Sequence, residues 1–151
     1  VTKRVIIIAA AVLAVILLGS LLLGGGGKAE PATFTEGGAE VKVEFQNGVL
    51  AGDKIRVTLK PVASGARVVA GLKIEVSGAA TADGEPSLPT PVTRKDFTVQ
   101  VYSSTTVRAT QPVKRPDDKP GQIQVKLTYQ VCDKAACTAP VTGRVIPLSI
   151  K

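Results

Sequence analysis

The chain contains no His, no Met and no Trp, and only two of its 151 residues are Cys. Without His, a serine or cysteine triad that uses imidazole as its base is excluded. Two Cys with no His or Met leave almost no ligand set for zinc, copper or haem, and no Asp-rich loop suggests calcium, so neither a metal nor a cofactor is expected. Aromatics make up 3% of the residues. The net charge of +7 comes from Lys and Arg scattered singly, as in "KIRVTLK" and "RVVAGLKIEV". A chain with no basic run and few rings to stack bases is not read as binding nucleic acid. A solvated basic surface is the simpler account, with anionic lipid or an acidic partner as the other use of such charge. What remains for chemistry is thiols and carboxylates.

One long apolar run is present. Val5 to Leu23 reads "VIIIAAAVLAVILLGSLLL", nineteen residues without a charge. As a helix it would span about 28 Å, close to the roughly 30 Å of a bilayer core. Lys3 and Arg4 before it set residues 1–4 as a cytoplasmic tip, with the remainder carried across the membrane. A cleaved signal peptide and a retained single-pass anchor both fit such a segment. The length of the run, and the flexible Gly24–Gly27 tether after it, favour the anchor. "LLGS" has Ser20 where a lipoprotein would need Cys. The expected location is therefore the cell membrane, with the domain in the periplasm or another extracytoplasmic space.

Residues 24–39 read as a Gly-rich linker, and residues 40–151 as one β domain. Period-two alternation puts Val41, Val43 and Phe45 on one face, then Ile55, Val57 and Leu59, then Leu72, Ile74 and Val76. "FTVQVY" continues it with Phe97, Val99 and Val101, so Phe97 is expected in a strand and in the core. Ile123, Val125, Leu127, Tyr129 and Val131 follow, and Ile146, Leu148 and Ile150 close the series. Turn-forming stretches at Gln46–Asp53, Ser77–Pro91 and Lys114–Gly121 separate them. About seven short strands with no amphipathic helix predict an all-β, immunoglobulin-like antiparallel β-sandwich behind one N-terminal transmembrane helix. Pro147 cannot donate to a ladder, so the last strand is expected at an edge or with the proline nitrogen facing outward. The Pro-rich Glu85–Pro91 reads as a stiff inter-strand loop rather than a peptide ligand.

Both cysteines fall in "YQVCDKAACTAP". The four residues "DKAA" suit a hairpin loop, which would bring Cys132 and Cys137 face to face and permit a disulfide. As a staple it would close a loop of about six residues and contribute roughly 2 kcal/mol, less than a bridge between distant strands. Asp133 opposes thiol ionisation and Lys134 favours it. On spacing alone, a static bridge and a working dithiol both stand.

The segment "GQIQVKLTYQVCDKAACTAPVTGRVIPLSI" resembles the C-terminal half of the N-terminal periplasmic domain of the thiol:disulfide interchange protein DsbD family. Tyr129, Gln130, Cys132, Asp133, Cys137 and Pro140 carry the resemblance, and Tyr102 upstream agrees with it. It implies an immunoglobulin-like fold and electron transfer by thiol–disulfide exchange, serving disulfide isomerisation and cytochrome c maturation. Cys132 and Cys137 would be the redox couple, with Cys137 forming the mixed disulfide and Cys132 resolving it. Partners would be thioredoxin-like oxidoreductases and a separate membrane electron carrier, and the chain would act as a protein-disulfide reductase component. Relatives shield their cysteines with an acidic-aromatic cap loop, for which Asp96 and Phe97 are the candidates here. Where relatives carry Pro-Pro after the second Cys, this chain has Ala139-Pro140. The alternatives are a non-catalytic β-sandwich interaction module with a structural hairpin disulfide, and an envelope protein without a redox role.

Overall fold

The computed structural model describes residues 29–151. The expected cytoplasmic tip, the apolar run at 5–23 and the start of the linker lie outside the described residues. Among the described residues no helix is long and apolar enough to cross a membrane.

The strands are β1 (Ala32–Glu36), β2 (Ala39–Gln46), β3 (Asp53–Pro61), β4 (Arg67–Val68), β5 (Lys73–Gly78), β6 (Thr81–Ala82), β7 (Pro91–Val92), β8 (Val101–Tyr102), β9 (Val107–Lys114), β10 (Gly121–Tyr129), β11 (Val131–Cys132) and β12 (Val141–Ile150). One sheet has the order β1-β2-β3-β9-β6 and another β12-β10-β5, while β11-β4 and β7-β8 form two small ladders. All pairings between these strands are antiparallel. The two larger sheets make a β-sandwich. Alternation explains why: Val41, Val43, Ile55, Val57, Leu59, Val107 and Ala109 of the first sheet are fully buried, as are Ile123, Val125 and Leu127 of the second. Their intervening residues, such as Lys42, Gln124 and Lys126, are exposed. Both sets belong to one hydrophobic core. Each side chain of this size contributes about 1.5–3 kcal/mol on leaving water.

Pro147 does sit on an edge, because β12 has only β10 beside it in its sheet and Pro147 faces Gln124. The Pro-rich segment is a connection, held by reciprocal backbone hydrogen bonds between Ser87 and Thr110. The one fully buried polar side chain among the described residues, Gln111, is satisfied by donating to the Gly84 and Pro112 carbonyls.

Two boundaries differ from the sequence reading. Sheet structure begins at Ala32, inside the expected linker, because Thr33–Thr35 pairs with Glu40–Lys42 across a two-residue turn. Gly37 and Gly38 occupy it with φ of 59° and 80°, the left-handed geometry that a tight hairpin demands. The second concerns "FTVQVY". Residues 93–100 form a loop between β7 and β8, and strand pairing starts only at Val101. A turn closed by the Phe97 N–H donating to the Arg94 carbonyl breaks the extended run. Phe97 is consequently half-buried and outside the sandwich core.

Leu127 is fully buried in β10, the central strand of its sheet. Leu127→Ala is expected to lower the unfolding free energy, read from the urea midpoint, by a cavity cost of about 2–5 kcal/mol. Lys126→Ala, one residue away on the exposed face, should change stability by less than about 0.5 kcal/mol.

Candidate functional site

The outer face of β10 is exposed at Gln122, Gln124 and Lys126, half-buried at Thr128 and Gln130, and becomes covered where Cys132 follows in the same alternation. Cys132 is 1% exposed. Its partner in the hairpin, Cys137, is exposed. The two are joined in a disulfide, with their Cα atoms 3.9 Å apart. Flanking backbone bonds, Asp133 N–H to the Ala136 carbonyl and Thr138 N–H to the Val131 carbonyl, both measure 2.9 Å. They make Cys132 and Cys137 a non-hydrogen-bonded cross-strand pair, the position at which facing residues approach most closely. The hairpin expected from "DKAA" is thus formed.

Asp133 shapes the tip. Its Oδ1 accepts from the N–H groups of Ala135 (2.8 Å) and Ala136 (2.7 Å). The Ala136 and Ala135 bonds hold its carboxyl below the ordinary carboxylate range. A fixed negative charge therefore stands beside Cys132. Lys134, expected to favour the thiolate, instead sets its Nζ 3.4 Å from Asp96 Oδ2.

That ion pair joins the tip to the 93–100 loop. The loop reaches the cysteines through a relay of pairings: β11 with β4, Val69 with Val101, and β8 with β7. Asp96, Phe97 and Val99 line a cleft of about 70 Å³ together with Cys132 and Cys137. On the other flank, Val62, Ala63, Ala66, Val131 and Ala136 line an apolar depression of about 300 Å³, with Val62 65% exposed.

Tyr129, Gln130 and Pro140 are not in the cysteine cleft. Tyr129 supports it from within: its hydroxyl donates to the Glu36 carbonyl at 2.8 Å, tying the hairpin's stem to the β1–β2 turn. Burial first, and then the Glu36 carboxylate, push its pKa up to about 12 against an opposing effect of Arg144. Gln130 Nε2 donates to the Thr138 carbonyl at 3.0 Å. Thr138 Oγ1 lies 3.0 Å from the carbonyls of both Gly37 and Val131. Pro140 is exposed in the segment just before β12. Tyr102 accepts from the Gly71 and Leu72 N–H groups at 3.1 and 3.0 Å, fixing the chain just after β4. The sequence reading missed the Gly37–Gly38 support, Thr138 and the Asp96–Lys134 pair. Only the Gly-Gly dipeptide gave a local signal, because the rest depends on contacts distant in sequence. Among the described residues no cluster of acidic or sulfur side chains is placed to hold a metal ion.

Residues 62–149, more than half of the chain, match the family model described as thiol:disulfide interchange protein DsbD, N-terminal. The match covers both cysteines, the 93–100 loop and the strands between them, and leaves out β1 to β3. No curated protein is matched by the chain.

Tyr129→Phe is expected to cost about 0.5–1.5 kcal/mol by deleting the bond to Glu36. The raised pKa belongs to the folded state, so its stabilising contribution is complete below the ordinary value of 10.0 and disappears as pH rises toward about 12. Phenolate absorbance of the Tyr102→Phe variant, which leaves Tyr129 as the sole tyrosine, should titrate near 12 when folded and near 10.0 in denaturant.

Proposed function

The chain belongs to the DsbD N-terminal family of thiol:disulfide interchange proteins, and on that premise we propose that Cys132 and Cys137 are a redox couple exchanging electrons with thioredoxin-like oxidoreductases. The observation that carries this reading is the asymmetry of the pair. Cys137 is presented at an exposed hairpin tip while Cys132 is 1% exposed. An incoming thiolate attacks the Sγ of Cys137. The new sulfur–sulfur bond forms as the internal one breaks, and the electron pair leaves on the sulfur of Cys132, which takes a proton from solvent. A second partner thiolate then attacks the partner sulfur of the mixed disulfide. Cys137 is released as a thiol, the partner leaves oxidised, and this chain holds two electrons. Donation runs in reverse, with the Cys137 thiolate attacking an acceptor disulfide and Cys132 resolving the intermediate.

Asp96 and Phe97 act as a cap in this reading. Phe97 covers one side of the cysteine cleft, and the Asp96–Lys134 pair latches the loop to the tip. Both ion-pair partners are largely exposed, at 47% and 69%, so the latch is worth less than about 1 kcal/mol. That is a factor of about five in population, within reach of a docking partner. The apolar depression around Val62 supplies a contact face beside Cys137. With no His and a carboxylate next to Cys132, exchange depends on docking geometry more than on a depressed thiol pKa. The fold is read as immunoglobulin-like. The domain is read as tethered by residues 5–23 outside the cytoplasmic membrane face, fed by a separate membrane electron carrier, and acting as a protein-disulfide reductase component.

Trapping tests the assignment. Cys132→Ser should accumulate a mixed disulfide with an oxidised thioredoxin-like protein through Cys137, whereas Cys137→Ser should give little. The opposite ranking would overturn the roles of the two sulfurs. In the reduced protein, Asp96→Ala and Phe97→Ala should each speed alkylation of Cys132 severalfold, and an unchanged rate would remove the cap.

A further inference from the structure

The two ends of the sandwich are built differently. One carries the cysteine hairpin, the Gly37–Gly38 turn and the 93–100 loop. The other carries the β2–β3 loop (residues 47–52), the β9–β10 loop (residues 115–120) and both ends of the described chain. Ala29 and Lys151 line one cleft there together with Phe45, Val49 and Arg115. β2 runs from the cysteine end to this far end in eight residues, and β10 runs back in nine. At about 3.3 Å per residue the two ends are roughly 25–30 Å apart.

The far end displays its apolar residues outward. Val49 is 96% and Leu50 100% exposed, more than any other large hydrophobic residue among those described. Their display is fixed by the neck of the loop. Gly48 packs so closely on Gly52 that a Cβ would collide with the Gly52 carbonyl oxygen, and the Gly48 N–H donates to Asp53 Oδ1 at 3.2 Å. Gly52, at φ 75°, completes the reversal. Around this tip, Lys54, Lys114 and Lys151 form no ion pair among the described residues. Ala29 lies only six residues after Leu23, where the apolar run ends, a reach of at most about 20 Å.

We propose that this end is a membrane-facing foot. Val49 and Leu50 enter the headgroup region of the bilayer, and the flanking lysines sit against anionic lipid phosphates. The domain then stands upright on the membrane, with Cys137 about 25–30 Å above the surface. The proposal rests on the reading of residues 5–23 as membrane-inserted. Its consequence is that electrons must reach Cys137 from a carrier projecting well clear of the bilayer, since a thiol buried in the membrane could not reach it.

The absence of Trp makes a direct test available. Leu50→Trp is placed in the full chain, reconstituted in vesicles of phosphatidylglycerol and phosphatidylcholine with brominated acyl chains. Val62→Trp, exposed at the cysteine end, is the control for a tryptophan's own affinity for lipid. The expected result is a blue-shifted Leu50→Trp emission quenched about twofold, with Val62→Trp unaffected, as for a side chain about 5–10 Å into the interface. If both tryptophans remain unquenched while the chain stays with the vesicles through an alkaline wash, the foot is overturned and the anchor stands. If the wash releases the chain, the anchor itself is wrong and the foot falls with it.

Discussion

The cover over the outer face of one strand is the constraint on which the site depends. From Gln122 to Lys126 that face meets water, as the alternation of a half-buried strand requires. At Cys132 it does not, because the 93–100 loop lies against it. This makes the two sulfurs inequivalent although they share one bond. A hairpin disulfide on an open face would offer both sulfurs to any thiol. Covering one of them gives attack a direction, which is what selective exchange requires.

Much of the molecule serves to hold this geometry. Tyr129 anchors the stem of the hairpin to Glu36, and Thr138 rests on the Gly37–Gly38 turn. Asp133 pins the tip by accepting two backbone hydrogen bonds. These contacts are numerous, whereas the 93–100 loop is tied to the hairpin tip by a single exposed ion pair. In the proposed exchange the weakly tethered cover is the element that would open for a partner, while the hairpin stays in place.

Legibility in the sequence followed the strength of the period. Long strands with a continuous apolar face, such as Ile123 to Val131, could be read directly, as could the edge position imposed by Pro147. Phe97 shows the limit. Its spacing to Val99 and Val101 is that of a strand, yet no neighbouring strand pairs with residues 97–99, and an Arg94–Phe97 turn takes over. Period reports which residues could share a face, and pairing decides whether a strand exists. β1 failed in the other direction, being five residues long between a Pro and a Gly-Gly turn with little apolar signal. Within the site, the cysteines and Tyr129 were visible by type and spacing. Their supports were not, because Glu36 with Tyr129 and Gly37 with Thr138 are about a hundred residues apart.

Whether the Cys132–Cys137 bond is a working one decides between a redox couple and a structural hairpin. Equilibrating the protein in glutathione and dithiothreitol buffers and counting alkylated thiols by mass measures this directly. A working pair should titrate within the span of thiol–disulfide oxidoreductases, roughly −120 to −270 mV, and a bond that stays closed below about −300 mV would identify a structural staple and contradict the account.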